Sequence, residues 1–239
     1  MASGLSVKGQ LGLGLSLPDD CRFENFLPVP GVTMPVSEFL RTDYGARERE
    51  AVYLWGPQGS GRTHLMLALC QDWLSRDRQV QYLPLAELVG FPPGEVLAGL
   101  QALDLVCIDD IHLVARHGDW LEQLFHFYNR SMDQGGCLLV SADCAPADLA
   151  LALPDLQSRL GAALIFHLPG YSDAEKLRIL QFRARCLGLD LSDEAGQFLI
   201  NRAPRQLLQL TEKLRQLDRA SLVHQRRLTV PFIKQLFGW

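Results

Sequence analysis

A glycine-rich segment between an apolar stretch and a leucine-rich stretch constrains the fold of this chain more than any other feature. Residues 51–55 are apolar and predict a β-strand, and the residues after 63 have the pattern of an amphipathic helix. A glycine loop between a strand and a helix predicts a phosphate-binding loop, because its backbone N–H groups and the helix N-terminus together attract an anion. The predicted ligand-binding residues are Gly56, Pro57, Gln58, Gly59, Ser60, Gly61, Arg62, Thr63 and His64.

One position of this loop departs from the usual pattern Gly-x-x-x-x-Gly-Lys-Thr/Ser. Arg62 stands where lysine is usual, and it replaces a compact ammonium with a wide planar fork of the same charge. We expect nucleotide binding to survive this change and hydrolysis to be slow. Thr63 stands where a hydroxyl would coordinate Mg²⁺.

Apolar strands and helical segments alternate over much of the chain. Strands are predicted at residues 51–55, 80–84, 104–109, 137–142 and 163–168. Helices are predicted between them at 62–76, 119–135 and 154–160, and a further loop and helix are predicted between the second and third strands, ending at residue 101. This order predicts an α/β domain in which helices cover both faces of a parallel sheet.

From residue 172 onwards the pattern is helical only, with a capping box at Ser172 and a third helix opened by Pro204. We therefore expect an α/β nucleotide-binding domain over residues 21–169 and a helical lid over 170–239, the boundary lying near 169–171. We expect residues 1–20 to form a separate flexible tail.

Composition limits the class of protein. The chain has 239 residues, of which 48% are hydrophobic, and a net charge of −4. The net negative charge gives no indication of non-specific DNA binding. No apolar run reaches the ~18 residues that are needed to span a membrane. The six cysteines lack Cys-x-x-Cys spacing, which is typical of reduced residues in a cytoplasmic protein.

Two carboxylates follow the predicted strand at 104–109. Asp109 would hold Mg²⁺ opposite the Thr63 hydroxyl, directly or through water. Asp110 stands where many ATPases carry a glutamate that orients the attacking water, and its shorter side chain disfavours strong hydrolysis.

The strand at 137–142 also has polar residues at its carboxyl end. Ser141 and Asp143 are both candidates to sense a terminal phosphate, because ligands bind at the carboxyl ends of such strands. A simple capped strand end is the alternative.

Two arginines are candidates for phosphate contacts. Arg159 lies at the end of a short predicted helix, and Arg205 lies at the start of the third lid helix. Each could instead make an ordinary surface salt bridge.

The order of these segments resembles AAA+ ATPases of the DnaA clade, from about residue 10 to residue 239. The segments that carry the resemblance are residues 23–26, 56–63, 106–110, 141–143, 156–160 and Arg205. Within that clade the chain is most similar to regulators that inactivate the bacterial replication initiator.

The resemblance implies a role for several residues. It makes Arg159 the catalytic arginine finger that faces a partner's nucleotide, and Arg205 the lid arginine that senses bound nucleotide. It places the base near Phe23 and Phe26, which could equally be core aromatics. The implied cofactors are ADP or ATP with Mg²⁺, and another nucleoside diphosphate stays open.

The tail resembles the Gln-Leu-x-Leu-x-Leu peptide by which such proteins bind the DNA sliding clamp. An extended peptide can bury leucines in an apolar pocket while the glutamine amide makes fixed hydrogen bonds. The proline that is usual near position 14 is absent. The residues concerned are Gln10, Leu11, Leu13 and Leu15.

The resemblance implies a regulator that docks on the sliding clamp and stimulates ATP hydrolysis by the DnaA initiator. We expect no sequence-specific DNA binding, because the basic pair Arg226 and Arg227 is not a recognition helix. An autonomous ATPase of the helicase-loader type and a pure binding adaptor are the alternatives. Homo-oligomerisation stays open.

Overall fold

Five parallel strands form the sheet at the centre of the structure. The computed structural model describes residues 21–45, 50–204, 206–224 and 228–239. The strand order is β2-β3-β4-β1-β5, and all four pairings are parallel. The strands are β1 (Ala51–Trp55), β2 (Val80–Pro84), β3 (Leu105–Asp109), β4 (Cys137–Ala142) and β5 (Leu164–His167). The predicted parallel α/β sheet is confirmed.

Helices cover both faces of this sheet. Helices α1 and α2 pack on one face, against side chains of β1 and β3. Helices α3 to α6 pack on the other face, around Tyr53 and the inward side chains of β4. The helices are α1 (Met34–Thr42), α2 (Arg62–Leu74), α3 (Leu85–Leu88), α4 (Pro93–Val96), α5 (Gly118–Asp133) and α6 (Pro154–Gly161).

The two inner strands position the polar residues that follow them. Every residue of β3 and of β4 is buried, as expected of continuous apolar strands covered on both faces. Since parallel strands end at the same edge of a sheet, the residues at the carboxyl ends of β3 and β4 lie beside the loop that follows β1.

Within the described part of the chain, four helices follow the sheet and share an apolar core of their own. The Ser172 hydroxyl accepts a hydrogen bond from the Glu175 N–H at 3.3 Å, and the Glu175 carboxylate accepts one from the Ser172 N–H at 2.7 Å. The predicted capping box is therefore confirmed. The helices are α7 (Asp173–Cys186), α8 (Asp193–Arg202), α9 (Leu207–His224) and α10 (Val230–Phe237).

Two predicted helices are corrected by the structure. The helix expected up to residue 101 is replaced by α3, α4 and a 3-10 turn at Leu100–Ala102, because Pro92 and Pro93 interrupt the backbone hydrogen bonds. The third lid helix begins at Leu207 rather than at Pro204. Ala203 is extended, with φ −82° and ψ 163°, which is the conformation that a following proline favours.

None of the described helices is long and apolar enough to cross a membrane.

Candidate functional site

The loop between β1 and α2 turns through glycines with positive φ. Gly59 has φ +82° and Gly61 has φ +101°, a region that L side chains rarely adopt. A Cβ at Gly61 would also lie 3.0 Å from the Phe26 ring. The loop runs directly into the N-terminus of α2, where the helix dipole favours an anion.

Arg62 is buried at the start of α2 and is bound to residues of two other elements. Its Nη1 lies 2.7 Å from Asp110 Oδ1 and 3.4 Å from the Ser141 hydroxyl. Its side chain is only 8% exposed. A phosphate that enters the loop must therefore share or replace the partners that Arg62 already has.

Asp109 is a buried carboxylate at the end of β3 and accepts hydrogen bonds from three hydroxyls. Thr63 and Tyr82 both donate to Oδ2, each at 2.7 Å, and Ser141 donates to Oδ1. Only 4% of Asp109 is exposed. The two predicted metal ligands, Thr63 and Asp109, are thus in direct contact.

Asp110 adopts a left-handed backbone conformation, with φ 60° and ψ 50°. This conformation is uncommon outside glycine and marks a special position. It lets the Asp110 N–H donate to the Ser141 hydroxyl at 2.9 Å while the carboxylate holds Arg62. The proposed role of Asp110 in orienting water stays a prediction.

Ser141 and Asp143 lie in different environments. Ser141 is buried and contacts Arg62, Asp109 and Asp110. The Asp143 side chain is 54% exposed, and its carboxylate lies 3.6 Å from His112 Nδ1. The geometry favours Ser141 as the residue that would respond to a phosphate, and both assignments stay predictions.

A cavity of about 380 Å³ opens beside the loop, between the sheet domain and the lid. This volume falls within the usual range of small-molecule sites. Phe26 and Leu27 line it from the N-terminal segment, the loop lines it from the sheet, and Tyr171 and Ile179 line it from the lid. The apolar wall is suited to a flat base, and the loop end is suited to phosphates.

Tyr171 joins the lid to the loop. Its hydroxyl donates to the Ser60 carbonyl at 2.9 Å, and burial raises the pKa of Tyr171 to about 12. The phenol therefore stays a neutral donor across the physiological pH range. The Ser60 hydroxyl is buried and has no hydrogen-bond partner among the described residues, which suits a loop built to contact a further group.

The two predicted base-binding aromatics separate in the structure. Phe26 lines the cavity, and its ring centroid lies 5.2 Å from that of His64. Phe23 is buried in the core on the α2 face and does not line the cavity. His64 lies at the cavity wall, with Nε2 2.9 Å from the Arg22 carbonyl.

Three predicted ligand-binding residues belong to the loop but do not line the cavity: Gly56, Pro57 and Ser60. A Cβ at Gly56 would lie 2.0 Å from the Leu168 carbonyl, so this position needs glycine to let two backbones approach. Gly56 thus shapes the loop, and the predicted ligand contacts of Pro57 and Ser60 stay predictions.

Arg159 lies on α6, away from the residues that line this cavity. It is exposed, and it makes no ion pair with any residue in the described ranges. The Tyr128 hydroxyl donates to the Arg159 carbonyl at 3.4 Å. The backbone is thus held while the guanidinium faces outward.

Five predicted residues lie outside the described residues, and their roles stay predictions. They are Gln10, Leu11, Leu13, Leu15 and Arg205.

The lid residues that line the cavity and Tyr82 were not predicted from the sequence. Leu208, Thr211 and Arg215 line the cavity, and their spacing of three and four places them on one face of α9. That periodicity was a usable signal. No sequence signal indicates the role of Tyr82, because its contact with Asp109 depends on the register between β2 and β3.

The donor set at the end of β3 fits Mg²⁺. Thr63 and Asp109 supply oxygen atoms, and Mg²⁺ is usually held by one or two carboxylates together with substrate phosphates. No cluster of three or more His, Cys, Asp or Glu side chains that could hold a metal ion occurs in the part of the chain that the structure describes.

Two family models match the chain. "Bacterial DnaA ATPase domain" matches residues 95–167, and "Hda, lid domain" matches residues 173–237. The chain is a Hda/DnaA-like AAA+ protein. The resemblance inferred from the sequence is confirmed, and the AAA+ sheet and helical lid described above are those of this family.

Solved structures show the same fold. Domain III of the Thermotoga maritima replication initiation protein DnaA is 20% identical, with a TM-score of 0.76 over 93% of this chain and 98% of that chain. DnaA from Aquifex aeolicus, bound to AMPPCP, is 18% identical, with a TM-score of 0.69 over 84% of this chain and 66% of that one. The Thermotoga maritima RuvB branch migration motor is 19% identical, with a TM-score of 0.65 over 91% and 73%.

This AAA+ protein therefore spans about two thirds of the Aquifex DnaA chain that it matches.

Proposed function

We propose that this protein binds a nucleotide, docks on the DNA sliding clamp and stimulates ATP hydrolysis by the DnaA initiator, which would prevent over-initiation in the bacterial cytoplasm. One observation carries the proposal: Arg159 is exposed and makes no ion pair with any described residue. An unpaired guanidinium at a surface is able to bind an external anion, such as the phosphate of a partner's nucleotide.

The proposed nucleotide is ADP or ATP, with phosphates at the loop and Arg62. The loop's backbone N–H groups and the α2 N-terminus would hold the phosphates, and Phe26 and Ile179 would contact the base. Mg²⁺ would be held by Thr63 and Asp109 and would neutralise phosphate charge. The match to a DnaA ATPase domain supports this assignment.

The protein's own hydrolysis need not be fast for this function. Asp110, the candidate to orient water, is already bound to Arg62 at 2.7 Å. Bound nucleotide would then act as a ligand that stabilises the contact between loop and lid.

Support for a protein partner comes from the strand that follows the Arg159 helix. Helix α6 leads into β5, an edge strand of the sheet. Leu164 is 44% exposed and Ile165 is 41% exposed on that strand. Exposed apolar residues on an edge strand that follows the Arg159 helix favour an interface with another protein.

The proposed tether is the tail segment that includes Gln10 and Leu13. It would raise the local concentration of Arg159 near an initiator on the same DNA. Changing both Leu13 and Leu15 to Ala should remove the benefit of clamp-loaded DNA, whereas Leu5→Ala, in the same tail but outside the motif, should not.

The test is an ATPase assay of DnaA loaded with labelled ATP, with clamp-loaded DNA, in the presence and absence of this protein. We expect the protein to increase the rate at which the initiator converts ATP to ADP. An unchanged rate at saturating protein would refute the proposed function.

The same assay separates the alternatives. A turnover of ~1 per second or above by this protein alone would favour an autonomous ATPase, since that is the lower end of common enzyme rates. Clamp binding without any effect on the initiator would favour a pure adaptor.

A further inference from the structure

Tyr82 lies on β2, beside the residues proposed to hold Mg²⁺. Its direct partner on β3 is Cys107, two residues before Asp109. Side chains on the same face at diagonal positions of neighbouring strands are within reach of an aromatic ring. The Tyr82 hydroxyl uses that reach to donate to Asp109 Oδ2 at 2.7 Å.

The hydrogen bonds at Asp109 determine where the Thr63 oxygen can point. The Thr63 hydroxyl has a single proton and donates it to Asp109 Oδ2 at 2.7 Å. Its lone pairs are then left for another ligand, and a cation is a natural one. This arrangement holds only while the Asp109 carboxylate keeps its orientation.

Tyr82 donates to the same Asp109 oxygen as Thr63, whereas Ser141 donates to the other one. The Tyr82 ring packs against the core on the α2 face of the sheet, and this packing sets the direction from which its hydroxyl approaches Asp109 Oδ2.

We propose that Tyr82 is a positioning residue for the divalent-cation site: its hydroxyl holds Asp109 so that Thr63 presents its oxygen lone pairs to Mg²⁺. The inference rests on the proposed binding of a Mg²⁺–nucleotide at this loop. Partners that orient a metal ligand typically alter metal affinity ~10–100-fold when they are removed. The class of ligand is a hard divalent cation that bridges protein oxygens and phosphate.

The competing explanation is that the Asp109 bond merely satisfies a half-buried phenol. The two explanations differ in what the loss of the hydroxyl changes. A positioning role predicts weaker Mg²⁺ binding with unchanged nucleotide binding in the absence of metal. A purely structural role predicts the same change, or none, in both conditions.

The experiment measures the affinity of the full chain for a fluorescent methylanthraniloyl-ADP, in EDTA and across a Mg²⁺ titration. For Tyr82→Phe we expect the Mg²⁺ concentration at half of the metal-dependent gain in affinity to rise ~10-fold. Affinity in EDTA should match that of the unaltered protein. Tyr53→Phe is the matched control, since its hydroxyl donates to the Cys144 carbonyl at 3.0 Å, and its Mg²⁺ midpoint should not move.

Each other outcome has a defined meaning. An unchanged midpoint, an equal loss of affinity with and without Mg²⁺, or failure of Tyr82→Phe to fold overturns the positioning role. Nucleotide binding by the unaltered protein that ignores Mg²⁺ also overturns it, while nucleotide binding stands. No nucleotide binding by the unaltered protein refutes the proposed function itself.

Discussion

Two arginines of this protein carry the same guanidinium group in opposite environments. The Arg62 side chain is 8% exposed and lies 2.7 Å from Asp110, whereas Arg159 is exposed and pairs with no carboxylate in the described ranges. A cation held by an internal carboxylate can bind a ligand only by exchanging or sharing partners. A cation without one can act directly on an anion that another molecule brings. We infer that Arg62 serves this protein's own nucleotide and Arg159 serves a partner's.

The largest effect that would test this division is expected from Arg159→Ala. Arginine fingers contribute ~10³–10⁵ in rate where they operate, so stimulation of the initiator's ATP hydrolysis should fall ~10³-fold or more. Nucleotide affinity and melting temperature should not change, because Arg159 contacts neither the loop nor an ion-pair partner among the described residues. Single-turnover hydrolysis by the initiator is the measurement.

Arg185→Ala is the matched control, because Arg185 is an exposed arginine on α7. It should stimulate the initiator like the unaltered protein. Full stimulation of the initiator by Arg159→Ala would contradict the assignment of Arg159 as an arginine finger, and with it the inference that Arg159 serves a partner's nucleotide.

Arg62→Ala should produce the next largest effect, on this protein's own affinity for nucleotide rather than on stimulation of the initiator. Losing charge-assisted hydrogen bonds to phosphate costs about 1.5–3 kcal/mol, so nucleotide affinity should fall roughly 10- to 100-fold in a calorimetric titration. Asp110 would also lose its partner, which should lower the melting temperature. Arg62→Lys keeps the charge and should retain most of the affinity. Equal binding by Arg62→Ala would show that the backbone alone holds the ligand.

The positions of the strands, and the proximity of Thr63 to Asp109, could be predicted from the sequence. Those follow from local patterns, because the ends of parallel strands share one edge of the sheet. The sequence was not sufficient for the pairing of Arg62 with Asp110, since both side chains had independent roles in the phosphate-loop pattern. In the left-handed backbone conformation of Asp110, its carboxylate contacts Arg62 and its N–H donates to Ser141, and no local sequence pattern indicates that conformation.

The lid shows the same limit. The capping box at Ser172 was readable because its two hydrogen bonds are local. The start of the third lid helix was not, because a proline can open a helix or precede one by a turn. The contact of Tyr171 with the Ser60 carbonyl joins residues 111 positions apart, and no local pattern records it.

Asp110→Asn tests whether the partner exchange at Arg62 is real. Replacing a charged partner by a neutral amide should free Arg62 for phosphate and tighten nucleotide binding by up to roughly 10-fold, the equivalent of about 1.4 kcal/mol. The sign is opposite to that expected for Arg62→Ala, so the two variants together define the exchange. Weaker binding by Asp110→Asn would mean that Asp110 supports the ligand rather than competes with it.

Asp143→Asn is the control for this variant. It removes a carboxylate from the same edge of the sheet, one that faces His112 and is more than half exposed. Its effect on nucleotide affinity should be smaller than that of Asp110→Asn.

The smallest effect is expected from Ser172→Ala, which touches neither arginine. Loss of an N-terminal cap costs about 1 kcal/mol of unfolding free energy, and urea unfolding at pH 7 measures it.

The Ser172 hydroxyl and N–H lower the pKa of Glu175 below its ordinary value of 4.5. A carboxylate with a lowered folded-state pKa stabilises the protein above its unfolded pKa, and this stabilisation is lost as the pH falls through the folded pKa. The difference between the two proteins should therefore shrink below about pH 4, while stimulation of the initiator stays unchanged at neutral pH. A loss of stimulation from this remote cap would mean that the action of Arg159 depends on the lid, and the two arginines could no longer be treated as separate.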